Sequence, residues 1–106
     1  MIIPGLTAKD SSMIIDLLSD CKEVDKAILY GSRAIGNFKP GSDIDIAVIG
    51  SGLNLRLLND LSESYYGLPL PYSLDLSIFQ QINNPELLDH ISTLGITIYN
   101  KNQQIE

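Results

Sequence analysis

Two aspartates, Asp43 and Asp45, stand two residues apart at the head of an alternating run, Asp43 to Ile49. In an extended strand that spacing sends both carboxylates out of one face, about 7 Å apart along the backbone. Like charges at this distance repel, and a divalent cation between them removes the penalty. A third aspartate, Asp75, lies in Leu74-Asp75-Leu76, an apolar setting in which an unpaired carboxylate is costly. If its strand lies beside the first, three carboxylates share one patch. Upstream, Gly31-Ser32 follows directly on the apolar run Ala27 to Tyr30, so its amides emerge at a strand end. Glycine lets the backbone approach a ligand closely, and a serine hydroxyl with successive amides can cradle phosphate oxygens. Arg33 and Lys39 add positive charge to the same segment. Phosphates on one side and carboxylates on the other call for magnesium between them, the arrangement of metal-assisted phosphoryl or nucleotidyl transfer.

The elements that must carry these residues alternate between helix and strand periods, which predicts an α/β fold with a mixed β-sheet flanked by helices. Thr7 caps a first helix that runs to about Asp20–Lys22, with Met13, Ile14, Leu17, Leu18 and Cys21 on its inner face. Ala27 to Tyr30 reads as a strand covered on both sides. Gly31 to Ser42 reads as a loop with one helical turn after Ser32. A second amphipathic helix spans about Leu53 to Tyr66, with Leu57, Leu58, Leu61 and Tyr65 inward. Tyr72 to Phe79 alternates as a third strand. Asn84 caps a last long helix with Pro85 at its first position and a stripe of Leu87, Leu88, Ile91 and Leu94. Ile96 to Tyr99 closes the pattern as a short strand, and the polar tail from Asn100 is expected to fray.

At 106 residues the chain fits a single domain, 1–106, with its patterned core at about 7–99. It is 44% hydrophobic and 19% charged, enough to build a core. Thirteen acidic residues against seven basic ones, a net charge of −6, argue against direct nucleic-acid binding through a broad basic face. No apolar run approaches the roughly 20 residues of a membrane span, and Met1 to Gly5 lacks the basic region of a secretory signal. The lone Cys21 excludes an intrachain disulfide framework and predicts a reducing, cytoplasmic setting. The single His90, at the edge of an apolar helical stripe, reads as packing or surface rather than as a ligand, so any metal is a hard cation held by carboxylates. Tyr65-Tyr66 reads as a cap on the core or a partner surface.

The run Gly31-Ser32-Arg33-Ala34-Ile35-Gly36 followed by Ser42-Asp43-Ile44-Asp45-Ile46 resembles the signature of the DNA polymerase β-type nucleotidyltransferases: Gly-Ser, ten intervening residues, then Asp-x-Asp. Asp75 matches the context of that family's third aspartate. The resemblance covers about Thr7 to Tyr99 and, by its short length, is nearest to the minimal nucleotidyltransferases, or MNT proteins. It implies a fold, an activity and a partner. MNT proteins of this kind are antitoxins that transfer AMP from ATP to a tyrosine of a helical HEPN-type toxin. The resemblance further implies that Asp43 and Asp45 hold two Mg²⁺ ions, that Asp75 completes the metal site and accepts the proton of the acceptor hydroxyl, and that Gly31 and Ser32 hold the β- and γ-phosphates of the nucleoside triphosphate. Arg33 and Lys39 would then face the departing pyrophosphate. One position departs from the pattern: residue 35 is isoleucine where close relatives often carry arginine. The alternative is a binding module that neutralises a HEPN partner by contact with its catalytic site idle.

Overall fold

The computed structural model describes residues 1–103. A first helix, α1 (Ala8–Ser19), starts at Thr7, whose hydroxyl accepts the Asp10 N–H at 3.1 Å, and stops at Asp20. Then come β1 (Lys26–Tyr30), the short helix α2 (Ser32–Ile35) and β2 (Ile44–Ile49). Helix α3 (Leu55–Tyr66) is capped by Asn54, whose side chain accepts the Leu57 N–H at 2.9 Å. It leads into β3 (Leu74–Ile78), a single 3-10 turn at Phe79–Gln81, α4 (Pro85–Leu94) and β4 (Ile96–Asn100). Asn84 caps α4 by accepting the Glu86 and Leu87 N–H groups, and Pro85 occupies the first turn, where a missing N–H costs nothing.

The strands form one mixed sheet in the order β3-β2-β1-β4. β1 pairs antiparallel with both β2 and β4, whereas β2 and β3 are parallel. The parallel pair needs a crossover, and α3 supplies it. Period-two alternation then sorts the side chains. Ala27 and Leu29 of β1, Ile44, Ile46 and Val48 of β2 and Ile78 of β3 join Ile14 and Leu18 of α1 and Leu61 and Tyr65 of α3 in the main core. The opposite face is covered only in part, by α4, where Ile91 packs with Tyr30 and Ala47. The remainder of that face carries Asp45, on a strand whose next outward residue, Ala47, is already buried.

Three features differ from the sequence-based expectation. The core reaches back to Ile3 and Leu6, ahead of the helical pattern, and the Ile3 N–H is satisfied by the buried Ser11 hydroxyl at 2.9 Å. Leu94, read as part of the α4 stripe, is 50% exposed because the helix ends there and the chain turns into β4. The tail holds its structure as far as the description goes: Asn100 belongs to β4, Lys101–Gln103 form a 3-10 turn, and Lys101 donates its N–H to Asp25 O at 2.8 Å and its Nζ to Lys22 O at 2.6 Å. The rest of that expected fraying, at 104–106, lies outside the described residues.

Arg33 is the buried cation of this fold, 1% exposed. Its guanidinium donates to Pro4 O at 2.8 Å, Ser42 O at 2.7 Å and Asp43 O at 3.3 Å, and lies between the rings of Phe38 and Tyr72, about 5 Å from each centroid. One side chain therefore ties together the N-terminal segment, both ends of the α2 loop and the approach to β3. Three of its N–H groups are bonded to carbonyls and the side chain is buried, so it does not face a departing pyrophosphate as the sequence suggested. Arg33→Met, which keeps the apolar stem but removes the donors, is expected to cost about 3 kcal/mol of stability in urea unfolding, since bonds from charged groups to buried carbonyls contribute about 1.5–3 kcal/mol each. An unchanged midpoint would show that this side chain is not structural.

Candidate active site

β1 ends at Tyr30 and the chain must turn at once into α2, which places Gly31 at a positive φ of 78°. Most side chains are strained there. Space imposes the same choice, because a Cβ at Gly31 would overlap Asp45 Oδ2. The backbone of the turn thus rests directly against the Asp45 carboxylate. The Gly31 carbonyl accepts the Ala34 and Ile35 N–H groups at 3.1 and 3.3 Å, and Gly36, in the left-handed conformation, closes the single helical turn.

Asp45 is also the residue opposite Tyr30 in the antiparallel β1–β2 register and opposite Asp75 in the parallel β2–β3 register. Paired positions on neighbouring strands lie about 4.8 Å apart with side chains on the same face. Asp75 and Asp45 therefore stand side by side. Asp43 precedes β2, which begins at Ile44, and is exposed, as is Asp75 on the edge strand. Burial, followed by the charges of Asp75 and then Asp43, raises the Asp45 carboxyl above its ordinary range, while Arg33 pulls it back in part. Tyr30, whose hydroxyl lies 3.5 Å from Ser77 Oγ, has its phenol raised chiefly by burial and further by Asp75 and Asp45.

The aspartates share one patch, but among the described residues no three carboxylate, imidazole or thiol side chains close into a ready-made metal cage. The donor chemistry nevertheless suits Mg²⁺, which keeps several waters and is usually bound by one or two carboxylates together with substrate phosphates. A carboxyl destabilised in its ionised form by burial and two like charges is a fitting ligand for a divalent ion.

Two sets of contacts that the sequence reading did not foresee shape the site. The Gly31 N–H donates to His90 Nε2 at 2.9 Å, a contact bridging 59 positions that no local pattern signals. Tyr65 and Tyr66, at the end of α3, pin the start of β3. Tyr65 Oη donates to Tyr72 O at 2.6 Å, and Tyr66 Oη both accepts the Leu74 N–H at 2.9 Å and lies 3.3 Å from Leu74 O. Burial pushes the Tyr65 phenol up to about 12, so it remains a donor at any physiological pH. Lys39 is exposed in the loop, where its N–H bonds the Ser42 hydroxyl at 2.8 Å. Ile35 is 47% exposed on α2.

A family profile described as "Polymerase beta, Nucleotidyltransferase" matches residues 12–104, and the chain belongs to that family. Solved structures agree and narrow the likeness to its minimal members. A toxin–antitoxin crystal structure with AMP-PNP superposes with a TM-score of 0.72 at 26% identity, over 88% of this chain and 75% of that one. A complex of tri-AMPylated Shewanella oneidensis HEPN toxin with MNT antitoxin gives 0.66 at 24% identity, over 90% and 73%. A nucleotidyltransferase-like structure from Sulfolobus solfataricus gives 0.58 at 15% identity, over 90% and 81%. No match is found among the curated proteins.

The raised Asp45 carboxyl generates a prediction with a definite sign. Its folded-state pKa lies above the unfolded one, so the associated stability is present at acid pH and is lost as pH rises through the folded value. Asp45→Asn should accordingly melt at a higher temperature than the wild type at pH 7 without metal. The gain stays below about 1 kcal/mol because the group is partly solvated, and it should shrink as the pH is lowered. A variant less stable than wild type at pH 7 would contradict the charge crowding.

Proposed function

We propose that this chain is a Mg²⁺-dependent nucleotidyltransferase that moves AMP from ATP to a tyrosine hydroxyl of a HEPN-type toxin, acting as its antitoxin. The observation that carries the reading is the register of Asp45 against Asp75, beside a glycine–serine turn packed onto the same carboxylate. Support also comes from structural neighbours described as a toxin–antitoxin complex with AMP-PNP and as a tri-AMPylated HEPN toxin bound to MNT antitoxin.

On this reading Asp43, Asp45 and Asp75 are the metal-binding and catalytic carboxylates, with Gly31 and Ser32 the nucleotide-binding pair. Two bound Mg²⁺ ions would neutralise the triphosphate and lower the pKa of the acceptor hydroxyl. Ser32, at the first position of α2, offers its hydroxyl and amide to the β- and γ-phosphates, and Gly31 permits the close approach. Asp75, exposed at the sheet edge, accepts the phenolic proton. The phenolic oxygen bonds to the α-phosphorus as the bond to the bridging β-oxygen breaks, and pyrophosphate leaves in line. Positioning and charge neutralisation supply most of the acceleration.

A protein acceptor fits the open site. Asp75 is exposed on the edge strand of the sheet, so an acceptor side chain can be presented by another molecule. The experiment is to incubate the protein with labelled ATP, Mg²⁺ and its helical partner and to weigh the partner. The expected result is a gain of one or more AMP units that Asp43→Asn or Asp45→Asn reduces by about a hundred- to a thousandfold, the scale on which loss of transition-state charge stabilisation is felt. A partner that is bound and neutralised but never labelled would assign this chain to contact inhibition instead.

A further inference from the structure

We propose that His90 is a positioning residue of the nucleotide site: its Nε2, by accepting the Gly31 N–H, holds the Gly31–Ser32 turn against Asp45 in the orientation that receives the triphosphate. This rests on the nucleotide-site reading above.

The turn has little else to fix it on this side. The Gly31 carbonyl is committed forward, to Ala34 and Ile35 of α2, and the Gly31 amide reaches across to α4 for its partner. These bonds hold the peptide groups on either side of Gly31, where the positive φ disfavours a side chain and a Cβ would overlap Asp45. The imidazole is itself held in place. Tyr30 meets it edge-on, with ring centroids 6.2 Å apart and planes at 79°. The next residue of α4, Ile91, is anchored in the small core against Tyr30 and Ala47. The Asn84 cap fixes where the helix begins.

A nitrogen that accepts an amide proton carries none of its own, so the imidazole is the neutral tautomer protonated on Nδ1. With its amide engaged, Gly31 contributes conformation. The phosphate contacts fall to the hydroxyl and amide of Ser32. α4 thereby becomes part of the nucleotide site, although none of its carboxylates enters the proposed metal set.

The requirement is a lone pair at the Nε2 position, which separates positioning from bulk. Glutamine places a carbonyl oxygen there; phenylalanine keeps the ring and removes the acceptor. Binding of Mg²⁺·AMP-PNP to the full chain, measured calorimetrically, should be about tenfold weaker for His90→Phe and within about twofold of wild type for His90→Gln, in keeping with the loss and recovery of one hydrogen bond. Hydrogen exchange at the Gly31 amide should be fast in H90F and protected in wild type and H90Q. If H90F does not fold, His90→Asn decides, because its shorter side chain falls short of the amide: it should bind weakly where H90Q binds well. Wild-type affinity in a folded H90F or H90N, or an H90Q as defective as H90F, overturns the proposal. A wild type that protects the Gly31 amide yet binds no Mg²⁺·AMP-PNP refutes the nucleotide-site reading itself, and the assignment of His90 with it.

Discussion

Asp45 and Asp75 sit at the same level of adjacent parallel strands, and the sheet does not let them part. Two ionised carboxylates about one strand spacing apart are unfavourable in the free protein, and burial together with this repulsion raises the Asp45 carboxyl. The fold sustains it because the register is fixed elsewhere. Ile44, Ile46 and Val48 on β2 bury the opposite face, so a slip of one residue would expose the core and turn Asp45 inward. The same inability to relax makes the pair a receptive site for a divalent cation. Stability is given up at the place where a ligand would restore it.

The rest of the molecule serves this placement. Arg33 draws the loop ends at Ser42 and Asp43 toward the N-terminal segment, which sets where β2 begins and hence where Asp43 stands. Tyr65 and Tyr66 hold the backbone at Tyr72 and Leu74, fixing the start of the edge strand next to Asp75. His90 reaches from the far helix to the Gly31 amide. Each is a side chain bonded to backbone, so each fixes a main-chain position from which a functional group projects. None of these four is itself one of the carboxylates.

That division explains what could be read from the sequence. Helices α1, α3 and α4 announce themselves by a 3.6-residue period, and α1 and α4 also by Thr7 and Asn84 at their caps. The strands show alternation, and Gly-Ser with Asp-x-Asp at fixed spacing points to the site because the chemistry constrains residue types locally. The supporting side chains carry no such mark. Arginine in a glycine-rich loop looks like a phosphate ligand until its partners are known to be carbonyls. A histidine at the edge of an apolar stripe looks like packing. Whether Asp75 lies beside Asp45 depends on strand order, which is a property of the whole sheet and of the α3 crossover rather than of the sequence around residue 75.

The central claim is that the three aspartates and the Gly31–Ser32 turn hold one metal-bound triphosphate between them. A crystal grown with Mn²⁺ and AMP-PNP tests it most directly, by anomalous scattering. The account predicts manganese peaks within about 2.5 Å of carboxylate oxygens of Asp43, Asp45 and Asp75, a range set by hard-cation coordination, with the phosphates completing the shell and running toward Ser32. Manganese bound away from Asp45, or a triphosphate lying elsewhere on the surface, would contradict it.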